Sequence, residues 1–333
     1  MSIVALDVGY SAVKAIRDNG AKVTFPSVVG NYTASIYNMN QDPADVITLE
    51  DGSEWLVGDA AMERSGYKTS RRDADWIGSQ MWRVLACAAL ARLHSGPANV
   101  KMVTGLPLEH YRAMREPALN ALMGEHRFKT GDGRWQTVTI EDARVMTQAF
   151  GAYASGLLSD NGKRFVNETY KAGRVGVLDI GGNTINALCV DKMRELTPWT
   201  RGDGLGLLKA LDAIARAIGE THKGLNPTAH EVAGWLANGN EFTYHGKAQD
   251  LQPYRAQFIK PLASMAVGFI ADVWPEPGRL AAIILTGGGA LALGETIKAE
   301  LEASDVWPPV VIPPDPIFDN ASGYLKYGRA LWE

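Results

Sequence analysis

Two segments of the chain, 6–16 and 178–188, share a pattern of residues that could hold a phosphate chain and a metal ion. Each reads as a strand, a tight glycine turn and a second strand, with one carboxylate, Asp7 or Asp179, ending the first strand. Leu, Asp, Gly and Ala recur at equivalent places, and Asp179 follows Asp7 by 172 residues in a chain of 333. A repeat at this offset predicts a nucleotide-binding protein built from two related domains.

The first segment has the spacing Asp7-x-Gly9-Tyr10-Ser11-x-x-Lys14. Glycine lets the backbone amides of such a turn approach a phosphate closely, which predicts nucleotide contacts at Gly9, Tyr10 and Ser11. Lys14 adds a cation, and Ser11 adds a hydroxyl. Asp7 would hold a hydrated Mg²⁺ ion, which prefers carboxylates together with retained waters. No Gly-Lys-Ser or Gly-Lys-Thr sequence occurs, so this is not a Walker loop, and a plain hairpin turn is the alternative.

The second segment offers the same carboxylate, Asp179, and a richer run of amide donors at Gly181, Gly182, Asn183 and Thr184. These four residues are predicted to bind phosphate, and Asp179 is predicted to bind the metal. A glycine-rich turn without function is again the alternative. The same turn after the same Leu-Asp strand end, half a chain away, favours the functional interpretation of both.

A third pattern joins an apolar strand, predicted over 281–286, to a helix through Gly287, Gly288 and Gly289. Nucleotides bind at the carboxyl ends of strands in α/β folds, and a backbone without side chains lets a purine or an α-phosphate pack on it directly. The alternative is a tight strand–helix junction. A Rossmann site is disfavoured because no strand-linked G-x-G-x-x-G opens the chain.

Gln148 begins a helix predicted over 148–158, with Thr147 as a possible N-cap. Phosphoryl transfer to water requires an oriented water and charge stabilisation rather than covalent help from the protein. An amide at this place would matter for orienting that water. By itself Gln148 is only a helix start, and the resemblance described below makes Gln148, together with Asp7 and Asp179, the predicted catalytic residues.

Bulk properties exclude several other classes of protein. The net charge of −4 argues against broad binding to nucleic acid, although residues 68–72 form a short basic segment. No run of about 18 apolar residues occurs, so no membrane span is expected. The two cysteines, Cys87 and Cys189, lie in apolar runs, which predicts reduced buried thiols and a cytoplasmic protein.

Strands alternate with helices through both halves, which predicts an α/β fold with a mainly parallel sheet in each half. The dipeptide Asn19-Gly20 predicts a hairpin between strands over 12–17 and 21–25. Residues 27–75 are polar and are expected to be irregular. Apolar residues at helical spacing predict a helix over 76–93.

The four motifs, in this order, resemble the actin-like ATPase superfamily, which includes actin, heat-shock chaperone ATPases and sugar kinases. The closer likeness is to the prokaryotic actins of the plasmid-segregation type, ParM/StbA, and to archaeal actin-like proteins. Further segments carry it along the whole chain: Phe25-Pro26-Ser27, Gly105-Leu106-Pro107-Leu108, Tyr153-Ala154-Ser155-Gly156, Arg201-Gly202-Asp203 and Phe318-Asp319-Asn320-Ala321-Ser322-Gly323-Tyr324.

The resemblance implies an actin-like ATPase fold, in which two related ribonuclease H-like domains flank a nucleotide cleft. Domain I would comprise residues 1–155 plus 319–333, with a small subdomain at about 27–75. Domain II would comprise residues 156–318, with a small subdomain at about 203–265.

The resemblance also implies the ligands. ATP, with GTP as the alternative, would bind with Mg²⁺, and Gln148 would orient the attacking water. The glycine triplet would back the adenosine, and Gly202, Asp203 and Lys209 lie near the family's ribose and base contacts. Two residues depart from the family pattern: Tyr10 replaces a small residue, and Asn186 replaces an acidic one.

The implied activity is ATP hydrolysis coupled to head-to-tail assembly into filaments of several strands. Such filaments would segregate plasmid DNA through a DNA-binding adaptor protein, without direct contact to membrane or nucleic acid. Two alternatives stay open: a small-molecule kinase of the same superfamily, and a chaperone or cytoskeletal scaffold without a role in segregation. A kinase would require a catalytic base, for which an amide is unsuited.

Overall fold

The computed structural model describes residues 1–33, 42–66, 68–69 and 74–333, so Arg71 and Arg72 of the basic segment lie outside the described residues. The chain divides into two units. Unit 1 comprises Met1–Lys171 and Phe318–Glu333, and unit 2 comprises Ala172–Ile317. The domain limits that the resemblance implies, with a change at residue 155, stay a prediction.

In chain order the first half forms β1 (Ser2–Val8), β2 (Ala12–Arg17), β3 (Lys22–Pro26), β4 (Val29–Asn31), β5 (Val46–Leu49), β6 (Glu54–Val57), α1 (Asp59–Arg64), β7 (Lys68–Thr69), α2 (Gln80–Leu93), β8 (Ala98–Leu106), α3 (Leu108–Leu122), β9 (Gly124–Thr130), β10 (Trp135–Thr147), α4 (Gln148–Leu157) and α5 (Glu168–Ala172).

The second half forms β11 (Arg174–Ile180), β12 (Ile185–Asp191), β13 (Arg194–Glu195), β14 (Arg201–Asp203), α6 (Leu207–Thr221), α7 (Ala229–Ala237), β15 (Glu241–Tyr244), β16 (Lys247–Asp250), α8 (Gln252–Val273), β17 (Ala282–Thr286), α9 (Gly288–Glu302), β18 (Val310–Val311) and α10 (Asp319–Trp332).

The strands of unit 1 form one sheet in the order β3-β2-β1-β8-β10-β9-β5-β6-β4-β7. Only β1, β8 and β10 run parallel to one another; the other described pairs are antiparallel. The expectation of a mainly parallel sheet is therefore wrong for this unit, because strands joined by short turns pair antiparallel. The expectation that residues 27–75 are irregular is also wrong for the described part of this segment, which supplies β4 to β7 and α1.

The sheet of unit 2 repeats the central plan of unit 1. Its order is β13-β12-β11-β17-β18, and β14 also pairs with β12. Again three strands, β11, β17 and β18, are parallel, whereas β12 pairs antiparallel with β11, β13 and β14. The expectation of a mainly parallel sheet is therefore wrong for unit 2 as well. The parallel strands bring their carboxyl ends to one edge of the sheet.

Helices cover both faces of the central strands in unit 1. Alternate residues of a strand point to opposite faces, and Val4 and Leu6 accordingly lie in the core formed with α2. Ile3 and Ala5 lie in a second cluster with Tyr324 of α10. Helix α4 is fixed against α10, because the amide of Ala152 donates to the side chain of Asn320 at 3.0 Å. This contact sets the position of Gln148 at the start of α4.

Helix α8 of unit 2 is the one described helix whose length and composition would also suit a membrane span. One of its faces is buried in the core of unit 2, through Ile259, Leu262, Ala266 and Ile270. Its opposite face carries Lys260 and Asp272. This division into a buried face and a charged face is that of a core helix in a globular protein.

Candidate functional site

The first hairpin brings three predicted residues into direct contact. Asp7 of β1 lies opposite Lys14 of β2 in the strand register, and the Lys14 ammonium is 3.3 Å from one carboxylate oxygen. The other carboxylate oxygen accepts a hydrogen bond of 2.8 Å from the side-chain amide of Gln148. Asp7 is only 3% exposed, so both bonds stabilise a charge that burial alone would disfavour.

The sheet explains how a residue 141 positions along the chain reaches Asp7. Strand β10 ends at Thr147 and pairs with β8, which pairs in parallel with β1. The start of α4 therefore comes to the same edge of the sheet as the end of β1. Sequence reasoning identified Gln148 from the family likeness, and the strand order supplies the reason for its place.

The turn of the first hairpin is closed by a hydrogen bond of 3.2 Å from the Gly9 amide to the Ala12 carbonyl. Tyr10 contributes no open side chain to the turn, because its ring is buried and stacks on Trp76 with centroids 5.3 Å apart. The edge of its ring also contacts His110. Within the described residues, Tyr10 can therefore serve a ligand only through its backbone, and its ring anchors the turn in the core.

The second hairpin has the same geometry as the first. Asp179 of β11 lies opposite Asn186 of β12, as Asp7 lies opposite Lys14. The turn is closed by the corresponding bond, from the Gly181 amide to the Thr184 carbonyl at 2.9 Å. Asn186 is 1% exposed and its amide donates to the Thr184 hydroxyl at 3.4 Å. The second hairpin thus has a neutral amide where the first has a cation.

Helix α6 holds two carbonyl groups of the second turn. The amide of Leu207 donates to Gly181 O at 3.1 Å, and the amide of Leu208 donates to Gly182 O at 2.7 Å. In a trans peptide the carbonyl and the following amide point in opposite directions, so the amides of Gly182 and Asn183 point away from α6. The contact with α6 thus directs these two amides to the side of the turn opposite to α6.

The contact between α6 and the second turn explains why a glycine, Gly206, precedes α6. A Cβ atom on Gly206, which precedes α6, would lie 2.2 Å from the carbonyl oxygen of Gly182 and from the backbone of Asn183. Only glycine lets α6 approach the turn this closely. Amides at a helix start need acceptors outside the helix, and here the turn supplies them.

The glycine triplet after β17 divides into two roles. Gly287 has φ +84°, and a Cβ there would lie 2.4 Å from a carboxylate oxygen of Asp179; one on Gly289 would lie 2.3 Å from the side chain of Ile180. Both glycines therefore let the strand–helix junction pack against the second hairpin. Nothing among the described residues lies within 4 Å of a Cβ on Gly288. Only Gly288 presents the open backbone that sequence reasoning expected of all three.

The remaining predicted contacts also lie in unit 2. Gly202 and Asp203 belong to β14, where they pair with Asn186 and Ile185 beside the second turn. Lys209 lies in the first turn of α6 and its side chain is exposed. Its ammonium lies 3.8 Å from the position that a Cβ atom on Gly204 would take, in the loop between β14 and α6.

The predicted residues thus form two groups, each at one sheet edge of its own unit. The group of unit 1 holds Asp7, Gly9, Tyr10, Ser11, Lys14 and Gln148. The group of unit 2 holds Asp179, Gly181, Gly182, Asn183, Thr184, Gly202, Asp203, Lys209, Gly287, Gly288 and Gly289.

The chemistry of these groups fits Mg²⁺ bound with a nucleotide. Among the described residues, no three His, Cys, Asp or Glu side chains lie close enough to form a metal site by themselves. Mg²⁺ does not require such a cage, because it keeps several waters and uses one or two carboxylates together with phosphate oxygens. Asp7 and Asp179, both buried at strand ends, have the donor type for that role.

The two cysteines take no part in this chemistry. Burial raises the pKa of both the Cys87 and the Cys189 thiol to about 12. Both are therefore protonated at neutral pH, and a thiol in that state is neither a nucleophile nor a metal ligand.

The sequences of the two halves match models of actin-like protein families. Residues 5–151 match the N-terminal domain of actin-like proteins, and residues 177–299 match the C-terminal domain of the archaeal actin homologue, MreB-like. Both halves of the chain are therefore actin-like domains. The first match contains Asp7 and Gln148, and the second contains Asp179 and the glycine triplet.

Solved structures extend the likeness of this actin-like chain over its whole length. A 15-stranded ParM filament from Clostridium botulinum is 22% identical, with a TM-score of 0.78 over 98% of this chain and 99% of that one. The archaeal actin homologue Ta0583 in complex with ADP is 21% identical, with a TM-score of 0.77 over the same shares. The actin-like protein Alp7A is 17% identical, with a TM-score of 0.81 over 99% and 96%.

These similarities show that the chain has the mixed α/β actin-like fold, which it shares with the ParM, archaeal and Alp7A structures. None of the curated protein sequences compared with the chain matches it.

Proposed function

We propose that this actin-like chain binds ATP with Mg²⁺, hydrolyses it and polymerises into filaments in the cytoplasm. The phosphate loops of both units would hold the same nucleotide, with Gly288 backing the adenosine. Mg²⁺, when bound, would neutralise charge that develops on the phosphates, and Asp7 and Asp179 would hold it and its waters. GTP in place of ATP is the alternative ligand.

The contact between Gln148 and Asp7 carries the proposal. The Gln148 amide nitrogen donates to Asp7 at 2.8 Å. The amide oxygen does not take part in this bond and could accept a hydrogen bond from water. Lys14 balances the same carboxylate. This arrangement would orient a water beside a bound phosphate, which is the help that phosphoryl transfer to water requires.

The same contact weighs against a small-molecule kinase. A kinase requires a base that takes a proton from the hydroxyl of its substrate. The amide of Gln148 cannot accept that proton. The neighbouring carboxylate, Asp7, already bonds to Gln148 and Lys14. Hydrolysis is therefore the reaction that these residues support best.

Filament formation is supported by likeness to proteins solved as filaments. A head-to-tail contact that does not close produces an open helical polymer. We further propose that the filament moves plasmid DNA through a DNA-binding adaptor protein, since the net charge of −4 disfavours direct binding to DNA.

The proposal is tested by sedimentation of the purified chain with ATP, GTP or no nucleotide, with phosphate release measured in the same samples. We expect a pellet only with nucleotide, and phosphate release that follows polymerisation. Gln148→Ala should lower phosphate release at least ~30-fold, or about 2 kcal/mol, and leave the ATP-dependent pellet in place. Gln249→Ala, in an exposed hairpin of unit 2, is the matched control and should change neither.

Three results would contradict parts of this proposal. A chain that binds ATP and never pellets is not a filament protein. Phosphate release that rises strongly with an added metabolite would indicate a kinase. Unchanged hydrolysis in Gln148→Ala would remove Gln148 from the reaction.

A further inference from the structure

Ser27 is a buried polar residue that directly follows β3 and contacts the first phosphate loop twice. It is 2% exposed. Its backbone amide donates to Ser11 O at 3.0 Å, and its hydroxyl donates to Gly9 O at 2.5 Å. Both acceptors belong to the turn that joins β1 to β2.

These two bonds fix the direction of the turn's amides. No described peptide bond is cis, so each carbonyl points opposite to the amide of the next residue. Since Gly9 O points to Ser27, the amide of Tyr10 points away from Ser27. Since Ser11 O also points there, the amide of Ala12 points away as well. The two bonds of Ser27 therefore direct the amides of Tyr10 and Ala12 to the side of the loop opposite to Ser27.

Of the two hydrogen bonds, only the one from the Ser27 hydroxyl to Gly9 O depends on the type of residue at this position. The bond from the Ser27 amide continues the β2–β3 pairing, in which Ala12 lies opposite Pro26, and most residues could form it. The bond to Gly9 O requires a side-chain donor of this length. In unit 2 the corresponding carbonyl, that of Gly181, is held by a backbone amide of α6.

We propose that Ser27 is a positioning residue for nucleotide binding, whose hydroxyl turns the Tyr10 amide toward the phosphates. This inference rests on the proposed function, because it assumes that the first loop binds the phosphates of a nucleotide. It adds a residue outside the loop and outside the predicted site.

The test compares Ser27→Ala with the wild-type chain by calorimetric titration of ATP and of adenosine. Loss of one hydrogen bond that orders a phosphate donor should weaken ATP binding about ten-fold. Adenosine affinity should stay unchanged, because adenosine has no phosphate for the loop to hold. Ser27→Thr, which keeps the hydroxyl, should restore most of the ATP affinity. Ser65→Ala is the matched control, since Ser65 also donates its hydroxyl to a carbonyl, that of Asn31, away from the loop.

The outcomes separate this inference from the proposed function. A wild-type chain that binds no nucleotide overturns the proposed function. A wild-type chain that binds ATP, with Ser27→Ala binding it equally well, overturns only the role of Ser27. Equal losses for ATP and adenosine would indicate general distortion and also overturn it. If Ser27→Ala does not fold, Ser27→Cys carries the same test, because its thiol keeps the volume and donates weakly; wild-type ATP affinity in that variant overturns the role.

Discussion

The two phosphate hairpins of the chain have one backbone geometry and different side chains. Asp7 faces Lys14 in the first, and Asp179 faces Asn186 in the second, at the same register position. Both turns are closed by an amide of their first glycine. The hairpin of unit 1 therefore has a cation beside its carboxylate, and the hairpin of unit 2 has a neutral amide.

The hairpins differ also in what holds their carbonyl groups. Ser27 holds the carbonyl of Gly9 through its side chain, and α6 holds those of Gly181 and Gly182 through backbone amides. In each case the turn's carbonyls are held on one side and its amides are presented on the other. Different elements thus direct the amides of the two turns in the same way. The two hairpins differ in that only the first has a cation opposite its carboxylate and a contact with the amide of Gln148.

The difference indicates a division of work between the units. Both units have a buried carboxylate and backbone amides that could hold phosphates. Unit 1 adds a cation and the amide proposed to orient water, and unit 2 adds the open backbone at Gly288, which is proposed to contact the adenosine. The predictions below test whether this division is real.

The largest expected effect comes from removing either carboxylate. Asp7→Ala and Asp179→Ala should each lower ATP hydrolysis at least 100-fold, or about 3 kcal/mol, because both are proposed to hold one metal. Phosphate release at saturating ATP and Mg²⁺ measures the effect, and circular dichroism checks the fold. Asp7→Asn and Asp179→Asn keep the size of each side chain and should be equally inactive if charge is decisive. Wild-type hydrolysis in either alanine variant would show that the hairpins do not act on one nucleotide.

The second prediction separates the glycines of unit 2 by role. Gly289→Ala should lower the free energy of unfolding by about 1–3 kcal/mol, because its methyl group would overlap the side chain of Ile180. Gly288→Ala should leave the free energy of unfolding almost unchanged and weaken ATP binding, since its methyl group enters open space. Urea unfolding and ATP titration of both variants measure this. A Gly288→Ala variant that binds ATP normally would show that Gly288 does not contact the adenosine.

Much of the candidate site could be predicted from sequence because it depends on local patterns. A carboxylate that ends an apolar strand before glycine identifies both hairpins without a structure. The Asn19-Gly20 turn predicts the β2–β3 hairpin, and Gly20 has the expected positive φ of 90°. The helix predicted over 148–158 is α4, Gln148–Leu157.

Other features depend on contacts between distant segments, which local patterns do not encode. The sequence of residues 27–75 does not reveal strands β4 to β7, because each of them is only two to four residues long and polar segments separate them. The helix predicted over 76–93 begins only at Gln80, where the Ser79 hydroxyl accepts from the amide of Trp82. The close approach of α6, the roles of Gly287 and Gly289 and the contact of Ser27 also depend on partners brought together by the fold.

The smallest expected effect is a loss of stability at acid pH that is confined to unit 1. Burial, with a further contribution from Arg17, lowers the pKa of His94 to about 4, while Asp18 opposes this shift. Burial also lowers the pKa of His126. Both histidines lie in unit 1, and they are the histidines among the described residues for which a lowered pKa is found.

The sign of the effect follows from which state takes up the proton first. As pH falls below about 6.5, the unfolded chain protonates these histidines while the folded chain does not. Unit 1 should therefore lose stability as pH falls below about 6.5, by less than about 1.4 kcal/mol per pH unit for each histidine, and for His94 the loss continues to about pH 4. Hydrogen exchange at pH 7.5 and pH 5 should show α2 of unit 1 losing protection while α9 of unit 2 retains it. His94→Gln, which cannot take up the proton, should reduce this loss, and equal losses in both units would show that the buried histidines do not set the acid stability of unit 1.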